Sequence, residues 1–246
     1  MKILVTPSPR ALGLALGVFA SVAPLHSAIL SIDFQGGRGS VMGQEESAGV
    51  VPATHWNLAA GANGTLGGLT LSGGATSGVG ATWSSAGVWQ TPIADNPGDF
   101  RMMKGFVEAH PGNDITLNFT GLAGTYDVYL YFDGDNSGNW RLFDFYVNGS
   151  TTPLNAEDKD GYNFGGTFLE APGNQIGFAM NYLRLSSLSG TSLSIVVRAG
   201  PAMDYQRGVL NGVQIVGSAI PEPSSAAGLA GLAALGLVAT RRGRRL

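Results

Sequence analysis

Two consecutive stretches of alternation, Ile115 to Thr120 and Tyr126 to Phe132, constrain this chain more than anything else in it. In the first, Ile115, Leu117 and Phe119 alternate with Thr116, Asn118 and Thr120. Successive side chains of a strand point to opposite faces, so this pattern is a strand with one buried and one polar face. Gly121 to Gly124 turns the chain, after which Tyr126, Val128, Leu130 and Phe132 line one face, with Asp127, Tyr129 and Tyr131 on the other. The same period recurs around this pair. Leu30, Ile32 and Phe34 form an opening strand. Phe143, Phe145 and Val147 form another, ended by the turn signal Asn148-Gly149. Further strands are expected at 176–180, 182–188 and 192–198, and a closing one at 209–216 with Val213 and Ile215 inward. No helix longer than two turns and no fixed repeat suggests itself between the chain's ends. Many short strands joined by turns predict an all-β fold, a two-layer antiparallel β-sandwich of jelly-roll type.

The segments between these strands are less regular. Val41 to Gly80 reads as a long structured loop pinned by Trp56, ending in a short strand at Leu69-Thr70-Leu71. Pro92 to Phe100 is rich in turn residues, and 101–107 fits a strand or a helical turn. Thr151 to Gly166 reads as a polar surface loop carrying Glu157, Asp158 and Asp160.

Composition agrees with a folded β domain. The chain has 38 glycines but is 44% hydrophobic, too apolar for a disordered polar chain. It has no cysteine, which excludes disulfides, thiol nucleophiles and cysteine metal sites. The overall charge of −3 hides an asymmetry: from Ile29 to Ile220 there are 8 basic against 16 acidic residues, a net of −8. An acidic domain argues against nucleic acid or an anionic membrane surface as its partner, and suits neutral sugars or divalent cations.

The positive charge is gathered at the two ends. Met1 to Ala28 reads as a secretory signal peptide, with Lys2 and Arg10 ahead of an apolar run from Ala11 to Ala23 and a Pro24 breaker. At the other end stand Pro221-Glu222-Pro223, then an uncharged run from Ala226 to Thr240, then Arg241, Arg242, Arg244 and Arg245. The uncharged run makes a helix of about 22 Å, which approaches spanning length once Ser224, Ser225 and snorkelling arginines are counted. The arginines act as a cytoplasmic stop. This order of triplet, apolar helix and arginine cluster resembles the PEP-CTERM sorting signal of Gram-negative bacteria. The resemblance covers Ile220 to Leu246. It implies recognition and cleavage by a membrane-embedded exosortase, in species that make exopolysaccharide and biofilm matrix. The expected organisation is therefore a signal peptide (1–28), a β-sandwich domain (29–219) and a sorting signal (220–246) with a transmembrane helix at about 225–240. The protein would be exported to the envelope or outside, anchored through its C-terminal helix before processing.

The middle also resembles galactose-binding-like and malectin-like jelly rolls. The strings that carry this are the opening strand Ser31 to Phe34, Tyr126-Asp127-Val128-Tyr129-Leu130-Tyr131-Phe132, the turn Val147 to Gly149, and the closing Asn211 to Val216. That resemblance implies carbohydrate binding through loops at one end of the sandwich, and carries over no particular binding residue.

Chemistry has two candidate seats. From Asp133, oxygen ligands fall at positions 1, 3, 5 and 7 (Asp133, Asp135, Ser137, Asn139), with Gly138 at 6 and Asp144 at 12. A Ca²⁺ loop wants converging hard oxygens and a glycine at the sharp turn. The flanks read as strands and Asp144 stands where a glutamate is usual, so a solvated hairpin loop is the competing and favoured reading. The second seat is aromatic: Trp140 beside Arg141, and Trp56, could offer a ring to the apolar face of a sugar, although a sandwich tryptophan is more often core. No G-x-S-x-G elbow, metal-type histidine pair or phosphate loop appears. The reading is an exported, non-enzymatic surface or matrix protein that binds polysaccharide. A secreted polysaccharide hydrolase or lyase, and a purely structural envelope module, are the alternatives.

Overall fold

The computed structural model of the chain describes residues 27–135, 141–159, 162–173, 179–200 and 207–217. The expected sorting signal, nearly all of the expected signal peptide, and Ser137, Asn139 and Trp140 lie outside the described residues, as does most of the expected strand at 176–180.

The described fold is all-β with several sheets. The first sheet has five strands, ordered β11 (Tyr182–Ser189), β8 (Thr125–Tyr131), β14 (Gly212–Gly217), β1 (Ala28–Phe34) and β2 (Asn57–Ala59). The second has six: β10 (Leu154–Asp158), β9 (Arg141–Val147), β12 (Ser192–Ala199), β7 (Ile115–Thr120), β4 (Gly80–Ser84) and β3 (Asn63–Leu66). A third, three-stranded sheet holds β13 (Gly208–Leu210), β6 (Gly105–Ala109) and β5 (Gly87–Gln90). A six-residue helix, α1 (Asp99–Lys104), precedes β6. The ladders are antiparallel apart from β1 with β2.

Alternation places the core. Leu30, Ile32, Val128, Leu130, Val213 and Ile215 from the five-stranded sheet share one apolar cluster with Leu117, Phe119, Phe143, Phe145, Ile195 and Val197 from the six-stranded sheet. Phe132 meets Phe143 edge-on, with ring centroids 5.2 Å apart. Each such side chain taken from water contributes about 1.5–3 kcal/mol, which is what holds the two sheets together.

The irregular segments depart from the sequence reading in informative ways. The stretch from Val41 to Gly80 includes two short strands, β2 and β3, and Leu69 and Leu71 are buried. The segment 101–107 is both a helical turn and a strand, because α1 hands over to β6 at Gly105. The expected polar loop at 151–166 contains β10, in which Glu157 and Asp158 are buried. It becomes a strand because Ala156 completes the core opposite Phe143. The closing strand is broken into β13 and β14 by Asn211, which is fully buried.

The largest departure is a second apolar cluster. Met42, Ala48, Trp56, Met102, Met103 and Phe164 pack with Tyr129, Tyr131 and Tyr182. Tyr129 and Tyr131 are on the face of β8 that points away from the main core. The segment 41–56, helix α1 and the segment around Phe164 therefore form a third layer over the outer face of the five-stranded sheet.

That layer is fastened by buried polar side chains. Gln214 accepts a short hydrogen bond from the Tyr131 hydroxyl, and its Nε2 donates to the Val51 carbonyl at 2.9 Å and to Ser31 Oγ at 3.2 Å. The Val50 N–H donates to the Tyr131 hydroxyl at 2.9 Å, and the Gly49 N–H donates to Asp99 Oδ1 at 2.8 Å. Gly49 has φ +95°, and a Cβ there would fall 2.4 Å from Gln214 Oε1, so only glycine fits against this pin. Asp33 and Arg38 form a fully buried ion pair, and Arg38 also donates to the Ser40 and Arg101 carbonyls. Burial pushes the Asp33 carboxyl up to about 6 against the pull of Arg38.

Candidate functional site

The candidate site lies where β8 leaves the five-stranded sheet, and Asn211 builds its floor. The Asn211 amide donates to the carbonyls of Met103 (2.6 Å), Gly105 (3.1 Å) and Asp133 (3.0 Å). Its Oδ1 accepts from the Asp133 N–H at 2.6 Å. Four backbone groups of three residues, from two segments, thus converge on one side chain, and Thr91 Oγ1 adds a bond to the Asp133 carbonyl at 2.7 Å. Asp133 is held there almost fully buried.

Above this floor is a cavity of about 220 Å³, lined by Asp133, Tyr162, Asn163, Phe164, Leu169 and Asn181 among others. Asp133 Oδ2 accepts the Phe164 N–H at 3.0 Å, which fixes the wall to the floor. Asn181 fixes the opposite wall. Its amide donates to the Thr167 carbonyl at 2.9 Å while its Oδ1 accepts the Leu169 N–H at 2.8 Å. Tyr162 is 56% exposed at the mouth, with Lys159 Nζ 5.4 Å from its ring centroid. Behind the wall, the Tyr182 hydroxyl donates to Glu170 Oε2 at 3.0 Å; burial first, then that carboxylate, pushes its pKa up to about 12.

The arrangement is suited to binding a small polar ligand. An exposed phenol ring offers a flat surface to an apolar C–H face, while amide and carboxylate groups nearby can bond hydroxyls. The walls are already tied by hydrogen bonds, so little ordering is needed on binding.

Among the described residues singled out from sequence, only Asp133 lines this cavity. Asp135 follows it, and the intervening Gly134 N–H donates to Asp158 Oδ2 at 2.7 Å. Asp144 is elsewhere. Its neighbours Phe143 and Phe145 point into the main core, so Asp144 points to the outer side of the six-stranded sheet, where the Asn155 amide donates to it. Asp133 bonds Phe164, on the outer side of the other sheet. Asp133 Oδ2 and Asp144 Oδ1 are thus each taken by a protein donor, and residues 136–140 between them lie outside the described residues.

Trp56 is 3% exposed, donates its indole N–H to the Ala53 carbonyl at 2.9 Å, and lies 6.2 Å from the Tyr131 ring. It is a core side chain of the third layer and presents no ring to a ligand. Arg141 opens β9, opposite Asp158. Sequence reasoning missed Tyr162, Asn163 and Asn181. The only signal for the first two was a tyrosine and an asparagine set among glycines in Gly161-Tyr162-Asn163-Phe164-Gly165-Gly166.

Comparison with known proteins adds little. No family model matches the chain, and no curated protein matches it. Among solved structures it is similar to the ANX2 ectodomain from Arabidopsis thaliana, with a TM-score of 0.40 and 13% identity over 80% of this chain and 53% of that one. The chain spans about half the length of that ectodomain, and a score at this level does not establish a common fold.

Proposed function

We propose that this chain is an exported, non-enzymatic protein of the cell surface or extracellular matrix, and that its domain binds carbohydrate in the cavity beside Asp133. The observation that carries the binding half is that cavity: a rigid-walled recess of about 220 Å³ with an exposed Tyr162 at its mouth and a buried carboxylate at its base. Export rests on the sequence of the two ends. The signal-like segment Met1 to Ala28 would direct secretion, and Pro221 to Leu246 would bring the chain to an exosortase after the C-terminal helix halts in the membrane. The acidic charge between Ile29 and Ile220 is in keeping with a neutral glycan and unfavourable for nucleic acid.

A glycan array probed with short oligosaccharides tests the binding half. Tyr162→Ala is expected to weaken the bound glycan's affinity at least fivefold with no change in melting temperature, because Tyr162 is exposed. An array with no signal, or a Tyr162→Ala protein that binds as the parent does, would sink the reading. Deleting residues 221–246 tests the sorting half: surface retention is expected to be lost.

A further inference from the structure

On the outer side of the six-stranded sheet, Asp144 of β9 and Glu157 of β10 are buried, but the part formed by β3, β4, β7 and β12 is open, and its side chains form an ordered set. The ladder registers place Thr65, Thr82, Asn118 and Ser194 in one lateral row, one residue from each of β3, β4, β7 and β12. Asn63, Ser84, Thr116 and Val196 form the next row, and Thr120 and Ser192 a third. Neighbouring strands are about 4.8 Å apart, so a row of four spans about 14 Å. The rows run into a shallow depression of about 590 Å³, lined in part by Asn118, Thr120, Asn148, Thr191, Ser192 and Ser194.

Two properties limit what this surface can take. The rows and the depression are neutral: their residues include no charged side chain, the nearest charges along β12 being Arg198 with its partner Asp114. Nucleic acid or an anionic lipid surface needs basic groups, and the rows carry none; a stable protein partner needs an apolar centre, and the rows offer only a half-buried Val196. The surface is also rich in hydrogen-bonding groups that the protein leaves to solvent. Thr65, Thr82, Asn118, Thr120 and Ser192 are exposed. Asn148, held at φ +50°, has its Oδ1 fixed by the Ser194 N–H at 3.0 Å, which orients the rest of its amide at the rim.

We infer that this open face is a second, extended carbohydrate contact, taking a neutral polysaccharide chain laid across the strands. The complement of a flat, uncharged field of hydroxyls and amides is a polymer that repeats the same groups. The inference rests on the carbohydrate class proposed above but on a different surface. It makes the domain a two-contact binder: the cavity takes a short unit and the face takes polymer.

Affinity electrophoresis of the full chain tests it, in gels carrying amylose, hydroxyethyl cellulose or galactomannan, with alginate as the anionic control. Retardation is expected in at least one neutral gel and not in alginate. The double variant Thr82→Ala/Asn118→Ala should weaken that retardation about tenfold, as loss of two modest hydrogen-bonding contacts would. Its melting temperature should stay within a degree or so of the parent's, since surface changes rarely destabilise. Asn118→Lys supplies a second variant, which should abolish retardation by filling the row. Tyr162→Ala should leave polymer retardation unchanged while losing short oligosaccharides, so failure of the cavity and failure of the face are read separately. No retardation in any neutral gel, or parent-like retardation of both face variants, overturns the inference.

Discussion

The outer face of the five-stranded sheet and the β3-β4-β7-β12 part of the six-stranded sheet's outer face are built from the same backbone geometry and end in opposite states. On the five-stranded sheet the outward residues Tyr129, Tyr131, Tyr182 and Gln214 are buried under a third layer. On the six-stranded sheet the outward residues Thr82, Asn118, Thr120 and Ser192 are exposed. The contrast follows from side-chain chemistry. A tyrosine carries a large apolar body with a polar tip, so it can be covered provided the tip finds a partner. Threonine, serine and asparagine offer too little apolar area to offset the entropy of ordering a covering loop. Covering a face therefore needs polar pins as well as apolar area, and this protein supplies them as Asp33 with Arg38, Asn211 and Gln214.

Perturbing those pins should separate the two faces, beginning with the buried ion pair. Asp33→Asn leaves the Arg38 charge buried without its counter-ion and is expected to destabilise by about 3–5 kcal/mol in chemical denaturation. Asn211→Ala strips partners from the carbonyls of Met103, Gly105 and Asp133 and should cost about 3 kcal/mol. It should also loosen the cavity floor, so oligosaccharide affinity falls in the folded variant.

Alkaline titration offers a smaller and more selective test. Tyr182, pushed up to about 12, ionises later in the folded than in the unfolded chain. The unfolded chain therefore loses its proton first, and the stability this hydroxyl contributes is full below about pH 10 and is lost as pH rises through about 12. Burial raises Tyr131 as well. Absorbance at 295 nm should show these two tyrosinates forming only with unfolding. Tyr182→Phe should remove the corresponding part of the alkaline loss of stability. Ionisation of all seven tyrosines in one ordinary step near pH 10 in the folded protein would show the third layer to be open.

The smallest effects belong to the open face and to calcium. Thr116→Ala should change stability by less than about 0.5 kcal/mol. Millimolar Ca²⁺ should leave the melting temperature unmoved, because the carboxylates of Asp133 and Asp144 already accept hydrogen bonds from the Phe164 N–H and the Asn155 amide. A ligand bound only by the folded state would raise it by mass action.

Much of the fold was legible in particular residues. Alternation at Ile115, Leu117 and Phe119, and at Tyr126, Val128, Leu130 and Phe132, assigned inward faces that the structure keeps without exception. Glu157 and Asp158 were misread because an acidic pair looks like surface. The side chain of Asp158 is retained inside because it accepts the Gly134 N–H. Asn211 was misread as part of a continuous strand, since a buried asparagine is distinguishable from a solvent-facing one only by the carbonyls around it. The candidate cavity was the least legible part. Asp133 stood out through its spacing, while Tyr162 and Asn181 reach the same recess from segments distant in the chain.

The sequence by itself determined the class of the domain and the inward face of most strands, because strand periodicity is a local property written in neighbouring residues. The tertiary structure alone decided which outward face is covered, which polar residues are buried and where the cavity forms. Those outcomes depend on pairing Gln214 with Val51, Tyr131 with Val50 and Asn211 with Met103, across separations of 81 to 163 residues. Nothing in the spacing of neighbours encodes a hydrogen bond between residues that meet only after the sheets have closed.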